Sequence, residues 1–417
     1  MHLDESPESL VGRVAIVDPS GAWSYSELYK DPFGLRQLVS EGSFVALRTS
    51  STLNVAAAVI ALEGWAMRVH LIPPDVDLGI ISDGSALISA FEQKQNNSEQ
   101  IIGASNFATE WILYTSGTTG TPKPIRHSLA SLSRTISSSK YVAELTWGMI
   151  YDPNRMAGIQ VLLQSLTSLT TLVVPNPYVS LKDRIKFLRE NAVTALSATP
   201  TLWRQVLQVA ELQNWDLKQI TLGGEISDQK ILDALSEQFP AARIAHIFAS
   251  TETGAAFAVT DKHAGFPISY LSENSRGIRL EVRDNILYIF SPLVTGSPAD
   301  GFVSTEDEVE IVGDRVLFRG RKSGVVNIGG SKVWPEEVER ILRTHEFVTD
   351  AAVLAKSNPF TGAILTAKVV ATLGAPTDLE KQLRMWMKCS SPPHYVPATI
   401  TVVDSLTVSQ AGKVERT

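Results

Sequence analysis

The sequence predicts an α/β protein in two parts. A large N-terminal domain, residues 1–320, combines parallel or mixed sheets, helices and a small β-barrel-like subdomain. A small α+β C-terminal domain, residues 321–417, follows it. Three observations predict this. As far as Phe248, short apolar runs alternate with helix-like segments, the order that produces parallel sheets. From Ile278 the runs become short and β-like with turns between them, the pattern of an antiparallel or barrel-like unit. Beyond Gly320 the two patterns mix over about 95 residues, enough for a separate module. The length of 417 residues agrees with two or three domains, at a prior of about 150 residues each.

In chain order, Ser24 and Glu27 of Ser24-Tyr25-Ser26-Glu27-Leu28 have capping-box spacing, so a helix starts there. Phe44–Leu47 and Val69–Ile72 read as buried strands, with the Ala-rich segment 55–66 as the helix between them. Residues 76–106 are largely polar, include Gln95-Asn96-Asn97, and read as a loop-rich insertion. Trp111–Leu113 reads as a strand. Later strands are expected at Thr171–Val174, Ala195–Ala198, Ile220–Leu222 and Ile244–Phe248, with helices between. The β-rich region should hold runs at Ile278–Arg283, Ile286–Phe290, Glu308–Val312 and Val316–Phe318. The last module should hold a helix at 335–344, strands near 351–355 and 364–371, a helix at 377–389 and a β-like run at 398–403. The sequence shows no internal repeat.

Composition excludes several classes of protein. Hydrophobic residues at 44% and charged residues at 19% exclude an intrinsically disordered chain. A single cysteine, Cys389, excludes a disulfide scaffold or a Cys-rich zinc site and suits a reducing, cytoplasmic compartment. The net charge of −7 gives no electrostatic basis for a nucleic-acid partner. MHLDESPESL carries acids where a secretory signal needs basic residues. The longest apolar stretch of the first hundred residues, Val55–Leu62, is too short to span a bilayer, so no membrane association is expected. Lys and Arg number 25 against 35 Asp and Glu before residue 321, and 12 against 9 from there on. A basic small domain facing an acidic large one suits a mobile lid, and chance asymmetry explains it equally well.

The most informative segment is Tyr114-Thr115-Ser116-Gly117-Thr118-Thr119-Gly120-Thr121-Pro122-Lys123, directly after the strand-like run. Its glycines let backbone NH groups approach an anion, its hydroxyls add donors, and Lys123 adds a cation. These are the parts of a polyphosphate cradle. The Gly-Lys-[Ser/Thr] ending of a Walker A loop is missing. A solvated turn is the plain alternative, but seven consecutive hydroxyl or glycine residues ending in Pro-Lys weigh against it.

This segment resembles the signature loop of the adenylate-forming superfamily: acyl- and aryl-CoA synthetases, luciferases and peptide-synthetase adenylation domains. The family pattern is Tyr/Phe-Thr-Ser-Gly-Thr-Thr-Gly-x-Pro-Lys-Gly. All nine fixed positions before the last glycine match, and Pro124 stands where that glycine would be. The resemblance implies nucleotide contacts from Thr115, Ser116, Gly117, Thr118, Thr119, Gly120 and Lys123. Further motifs follow in the family's order, so the resemblance spans roughly residues 10–417. Leu222-Gly223-Gly224-Glu225 resembles the turn that runs flat against adenine. Phe248-Ala249-Ser250-Thr251-Glu252 resembles Tyr-Gly-x-Thr-Glu, which implies that Phe248 stacks on adenine and Glu252 holds Mg²⁺ bridging the phosphates. Phe302-Val303-Ser304-Thr305-Glu306-Asp307 resembles aromatic-x-x-Thr-Gly-Asp, with Asp307 accepting from both ribose hydroxyls and Glu306 replacing the glycine.

Gly320-Arg321-Lys322-Ser323, with Gly330 and Pro335–Glu339, resembles the interdomain hinge segment. Arg321 would contact ribose or phosphate, and Ser323 would be the pivot of a mobile C-terminal domain. Gly412-Lys413-Val414-Glu415-Arg416 resembles the C-terminal loop whose lysine bridges the substrate carboxylate and the α-phosphate. Lys413, Glu252 and Thr251 are the implied catalytic residues. The first 110 residues are shorter than the family norm, which implies a reduced N-terminal subdomain.

The implied activity is ATP-dependent conversion of a carboxylic acid to an acyl-adenylate with release of pyrophosphate, followed by transfer to the thiol of CoA. The carboxylate is itself the nucleophile, so catalysis is positioning plus stabilisation of negative charge at the α-phosphate. One alternative is an amino-acid- or aryl-acid-activating enzyme that loads the phosphopantetheine of a separate carrier protein. Another is a degenerate nucleotide-binding protein without catalysis. It rests on the departures at positions 124, 249, 306 and 323, and the presence of Lys123, Glu252, Asp307, Arg321 and Lys413 opposes it. Tyr151-Asp152-Pro153-Asn154-Arg155-Met156-Ala157-Gly158 aligns with the family stretch Pro-Leu-Phe-His-x-x-Gly. Asp152 and Arg155 are candidate substrate residues for a small, polar or aromatic acid. The preferred reading pairs the two with each other, since buried charges need partners, and recognition of a polar or charged group on the substrate is the alternative.

Overall fold

Ser24 opens the first helix by reciprocal bonding with Glu27: the Glu27 amide donates to Ser24 Oγ at 3.2 Å, and the Ser24 amide donates to Glu27 Oε2 at 2.7 Å. The structure is a computed structural model. It describes residues 10, 12–81, 83–89, 91, 108–115, 122–134, 136, 139–209, 211–250, 254–272, 277–290, 301–358, 361–409 and 411–415.

The first sheet has the order Ala86–Ile88, Phe44–Leu47, Arg68–Leu71, Glu110–Tyr114, Pro124–His127. Its first four strands are parallel, and the last runs antiparallel to Glu110–Tyr114. The helix Thr52–Leu62 crosses between the second and third of these strands, and all but one of its residues are buried. That explains its run of alanines and valines: a helix packed on every side has no polar face. The described part of the 76–106 segment, up to residue 91, is less irregular than its composition predicts. It contains a 3₁₀ turn at Leu78–Ile80 and the short strand Ala86–Ile88, which pairs with Phe44–Leu47. Three residues are too few to show a period of two; the neighbouring strand supplies the register.

The second sheet has eight strands in the order Gly254–Val259, Arg243–Ser250, Gln219–Gly223, Ala195–Ala198, Trp147–Gly148, Leu172–Val173, Val14–Asp18, Gly21–Ser24. The interior pairings are parallel and the two edges antiparallel. The helices Met156–Ser168, Leu181–Glu190, Pro200–Val209 and Gln229–Gln238 make the connections. Thr199, Gly224 and Ser250 therefore all lie at the carboxyl ends of parallel strands, where open α/β sheets bind ligands.

The third sheet is antiparallel, in the order Phe266–Pro267, Arg315–Arg321, Phe302–Val312, Ile286–Phe290, Arg279–Arg283. It packs with the 254–259 strand around its own core, which includes Phe257, Phe266 and Leu287. After Arg321 come one 3₁₀ turn, Lys322–Gly324, and the hairpin Val326–Ile328/Ser331–Val333. Then follow the helix Pro335–Thr344, the paired strands Val348–Asn358 and Gly362–Ala371, the helix Leu379–Ser390, and the strand Thr399–Val403 parallel to the second of that pair. These elements enclose a separate core that includes Val338, Leu342, Val353, Leu383 and Met387. Among the described residues, no helix is long and apolar enough to cross a membrane.

Candidate active site

The site is assembled where the last residues of the chain meet the carboxyl ends of the second sheet. Thr199-Pro200 is a helix start: proline at the first helical position loses no bond, and the threonine hydroxyl accepts from the Leu202 amide at 3.1 Å. The Thr199 hydroxyl also donates a short hydrogen bond to the Gly412 carbonyl, so one side chain caps the helix and grips the C-terminal loop. Glu225 holds that loop from the other side. Its carboxylate accepts from the Thr201 amide at 3.0 Å and from the Val414 amide at 3.1 Å. Loop residues bond each other as well: Ser409 and Gly412 donate from their amides to Lys413 and Ser409 carbonyls at 2.8 Å, and Val408 bridges to Val414.

Two glycines make the close approach possible. Gly412 has φ +70°, and a Cβ there would lie 2.5 Å from Leu202 Cδ1. Gly224 has φ +81°, and its open face receives the Lys413 side chain, whose Cε would be 3.4 Å from an added Cβ.

Lys413 is thereby sequestered. Burial lowers its pKa from the ordinary lysine value; the Glu225 carboxylate opposes this, Arg321 and Arg155 reinforce it, and Asp307 opposes it again. These four charged groups thus lie around the lysine, two of each sign. Asp307 is buried on the third sheet, paired across it with Arg321, whose Nε is 3.5 Å from Asp307 Oδ1. Burial raises the Asp307 pKa, against the Arg321 charge, the Thr305 hydroxyl and Lys413. Glu306, where the family pattern has glycine, takes φ +60°, a left-handed conformation that glycine adopts without strain.

The phosphate-loop hairpin is described at its base. Thr115 and Lys123 face each other there: the Thr115 amide donates to the Lys123 carbonyl at 3.1 Å, and the Lys123 amide to Thr115 Oγ1 at 3.2 Å. Tyr114 is anchored below them. Asp83 accepts from His70 Nε2 at 2.9 Å, which leaves Nδ1 as acceptor for the Tyr114 hydroxyl at 2.7 Å. Burial and then the Asp83 charge push the Tyr114 pKa up to about 12. Ser116, Gly117, Thr118, Thr119, Gly120, Thr251 and Glu252 lie outside the described residues. Gly223 ends its strand beside Ile247 of the neighbouring strand. Phe248 is half-buried and belongs to an aromatic row: its ring is nearly parallel to those of Phe257 and Phe318, with centroids 5.4 and 5.3 Å away.

At the start of the Met156–Ser168 helix, Arg155 is buried and Asp152 largely so. Their mutual contact is the weaker one, 3.7 Å from Arg155 Nε to Asp152 Oδ2. The principal partner of Arg155 is Asp75, whose two carboxylate oxygens accept from Nη2 at 2.6 Å. Asp152 Oδ1 instead accepts from the backbone and side-chain amides of Asn154 at 2.9 Å, and Asn154 Nδ2 also reaches the Thr49 carbonyl at 2.6 Å. Burial raises the Asp152 pKa, opposed by the Asn154 bonds and by Arg155. Among the described residues, Oδ2 of Asp152 has no hydrogen-bond partner, only the ion-pair contact with Arg155.

Sequence reasoning missed Thr199 and Asp75. Thr199 carried a signal, since threonine before proline at a strand-to-helix junction marks a helix cap. Asp75 carried none; its partner lies 80 residues away.

A family model described as AMP-binding enzyme matches residues 55–284, and one described as AMP-binding enzyme C-terminal domain matches residues 337–413. The chain belongs to the AMP-binding enzyme family, with matches to both of its domain models. It is similar to surfactin synthase subunit 1 of Bacillus subtilis (strain 168), 24% identical over 393 residues that cover 82% of this chain and 11% of that protein. It is also similar to the mitochondrial acyl-coenzyme A synthetase ACSM5 of Homo sapiens, 23% identical over 344 residues, 73% of this chain and 59% of that protein. The chain thus spans less than two thirds of the length of these relatives. Among solved structures, ATP-bound MatB from Rhodopseudomonas palustris shares the fold with a TM-score of 0.78 at 18% identity, covering 99% of this chain and 95% of that one.

Proposed function

We propose that the protein uses ATP to convert a small carboxylic acid into an acyl-adenylate, releasing pyrophosphate, and then passes the acyl group to the thiol of CoA. The observation that carries this reading is Lys413, held by Thr199 and Glu225 against Gly224 and ringed by Glu225, Asp307, Arg321 and Arg155. A sequestered cation is worth most where negative charge grows in the transition state, here on the α-phosphate during attack by the carboxylate. Asp307 is proposed to accept from the ribose hydroxyls. The phosphate loop, residues 115–120 with Lys123, is proposed to hold the phosphates, and the Gly223-Gly224-Glu225 turn and Phe248 to flank the base. Glu252, with Thr251 beside it, is proposed as the protein ligand of a Mg²⁺ that also takes phosphate oxygens; one carboxylate plus phosphates is the usual provision for this ion. Lys413 and the loop donors orient and neutralise the reacting groups, and no protein nucleophile is required. We place the domain boundary at residues 320/321, with Ser323 at the pivot, and the enzyme in the cytoplasm.

One observation favours a second reading, in which the acid carries an amino group and the acyl acceptor is a carrier protein. Asp152 presents a buried carboxylate oxygen without a hydrogen-bond partner next to Arg155, and a substrate ammonium is the donor such an oxygen takes best. Pyrophosphate exchange with a panel of fatty, aryl, dicarboxylic and amino acids tests for the first half-reaction and separates the acid classes. CoA or a pantetheinylated carrier, added next, separates the acceptors. Exchange that no acid stimulates, in protein that binds ATP, would leave only nucleotide binding.

A further inference from the structure

Away from Lys413, five buried charged side chains meet across the boundary between the large domain and the C-terminal domain. Asp228, which caps the Gln229–Gln238 helix, accepts from Arg204 at 2.7 Å within its own domain and from Arg343 of the C-terminal domain at 3.0 Å. Arg343 is also bound inside its own domain, to Asp350 at 2.9 Å and Glu339 at 3.3 Å. Arg204 in turn lies 3.8 Å from Asp350. All five are at most 8% exposed. Beside them, the half-exposed Lys230 directs its three ammonium donors at three carbonyls of the C-terminal domain: Arg343 at 2.7 Å, His345 at 3.1 Å and Val348 at 2.7 Å. These close the carboxyl end of the Pro335–Thr344 helix, where a cation is favoured.

The pairing has a particular logic. Within each domain every one of these carboxylates and guanidinium groups keeps a partner when the domains separate: Arg204 keeps Asp228, and Arg343 keeps Asp350 and Glu339. Separation strands no charge, so the usual penalty for breaking a buried ion pair, an orphaned charge, does not arise. Docking adds the crossed contacts and the Lys230 seat. The same rigid element also fixes the catalytic loop. Arg204 lies on the Pro200–Val209 helix, five residues and about 7.5 Å along the axis from Thr199, which grips Gly412.

We propose that Arg204, Asp228, Lys230, Arg343 and Asp350 form a positioning device that selects the docked orientation of the C-terminal domain and so delivers Lys413 to the site. The delivery, but not the docking, rests on the reading of Lys413 as the catalytic lysine. None of the five touches the substrates in that reading.

The test needs no ligand. A distance probe is attached to Cys389, which is exposed, and to a cysteine introduced at the surface position Glu190→Cys. The inter-label distance distribution is compared with that of Lys230→Met and Asp228→Asn in the same background. Both variants should broaden the distribution toward a separated population, and Lys230→Arg should restore it. Where exchange activity is present, kcat should fall about five- to tenfold with KM for ATP nearly constant, because only the docked fraction reacts. Wild-type distance distributions in both variants would overturn the proposal. So would an unfolded Lys230→Met protein, since a half-exposed side chain required for folding is structural. Altered distances in a protein without exchange activity would leave the docking device standing and remove only the assigned chemistry.

Discussion

Lys413 and Asp307 are held in opposite electrical predicaments by the same site. Burial works against the charge on each: it lowers the lysine's pKa and raises the carboxyl's, and each supports the other's ionised form. In the proposed reaction the working form of Lys413 is the ammonium. In the free enzyme its proton is lost as pH rises through a pKa below the ordinary lysine value of about 10.4. The alkaline limb of kcat/KM for exchange should therefore lie below the ordinary lysine range. The limb of kcat should lie higher, because bound ATP adds negative charge beside the ammonium. Coincident limbs at the ordinary lysine value would contradict the sequestration. Glu306 makes a separate prediction. An exposed glutamate at φ +60° carries a left-handed penalty of about 1 kcal/mol that glycine avoids. Glu306→Gly should stabilise the protein by about 0.5 kcal/mol after glycine's greater chain entropy is counted, measured by urea unfolding.

The C-terminal loop carries the proposed catalytic lysine, and its seat tolerates little. Gly412→Ala would push a methyl group to 2.5 Å from Leu202 and impose a left-handed alanine. Kcat should fall about tenfold or more, the equivalent of about 1.4 kcal/mol, with the melting temperature nearly unchanged if the loop lifts off Leu202, a member of the large domain's core, and leaves that core packed. A large drop in melting temperature would instead place Gly412 in the fold's stability. Elements also show what a sequence can and cannot disclose. The Ser24–Glu27 cap, the strands Ala195–Ala198 and Ile286–Phe290 and the helix Pro335–Thr344 were legible because local chemistry or periodicity specifies them. The two-residue strand Trp147–Gly148 was not, because its pairing with Ala195–Leu196 and Leu172–Val173 comes from neighbours remote in sequence. In the site, Lys413, Asp307 and Arg321 were legible through motif resemblance. The partnership of Arg155 with Asp75 was not, and local reasoning assigned that arginine to the adjacent Asp152.

At the scale of the molecule, two cores are joined through a short turn at Lys322–Gly324, and the candidate site exists only where they meet. Arg155, Glu225, Asp307 and Thr199 come from the large domain, and the lysine comes from the last turn of the small one. A site divided in this way can be dismantled without unfolding either part, as the proposed transfer to CoA would need if it requires the lysine to withdraw. The most direct measurement is acid-dependent exchange of labelled pyrophosphate into ATP, by the wild type and by Lys413→Ala, with ATP binding measured in parallel. Removing a group that acts mainly in the transition state should lower kcat by about a hundredfold or more while ATP affinity changes little. Acid-stimulated exchange that survives in Lys413→Ala at most of its wild-type rate would contradict the assignment of this loop as the catalytic one.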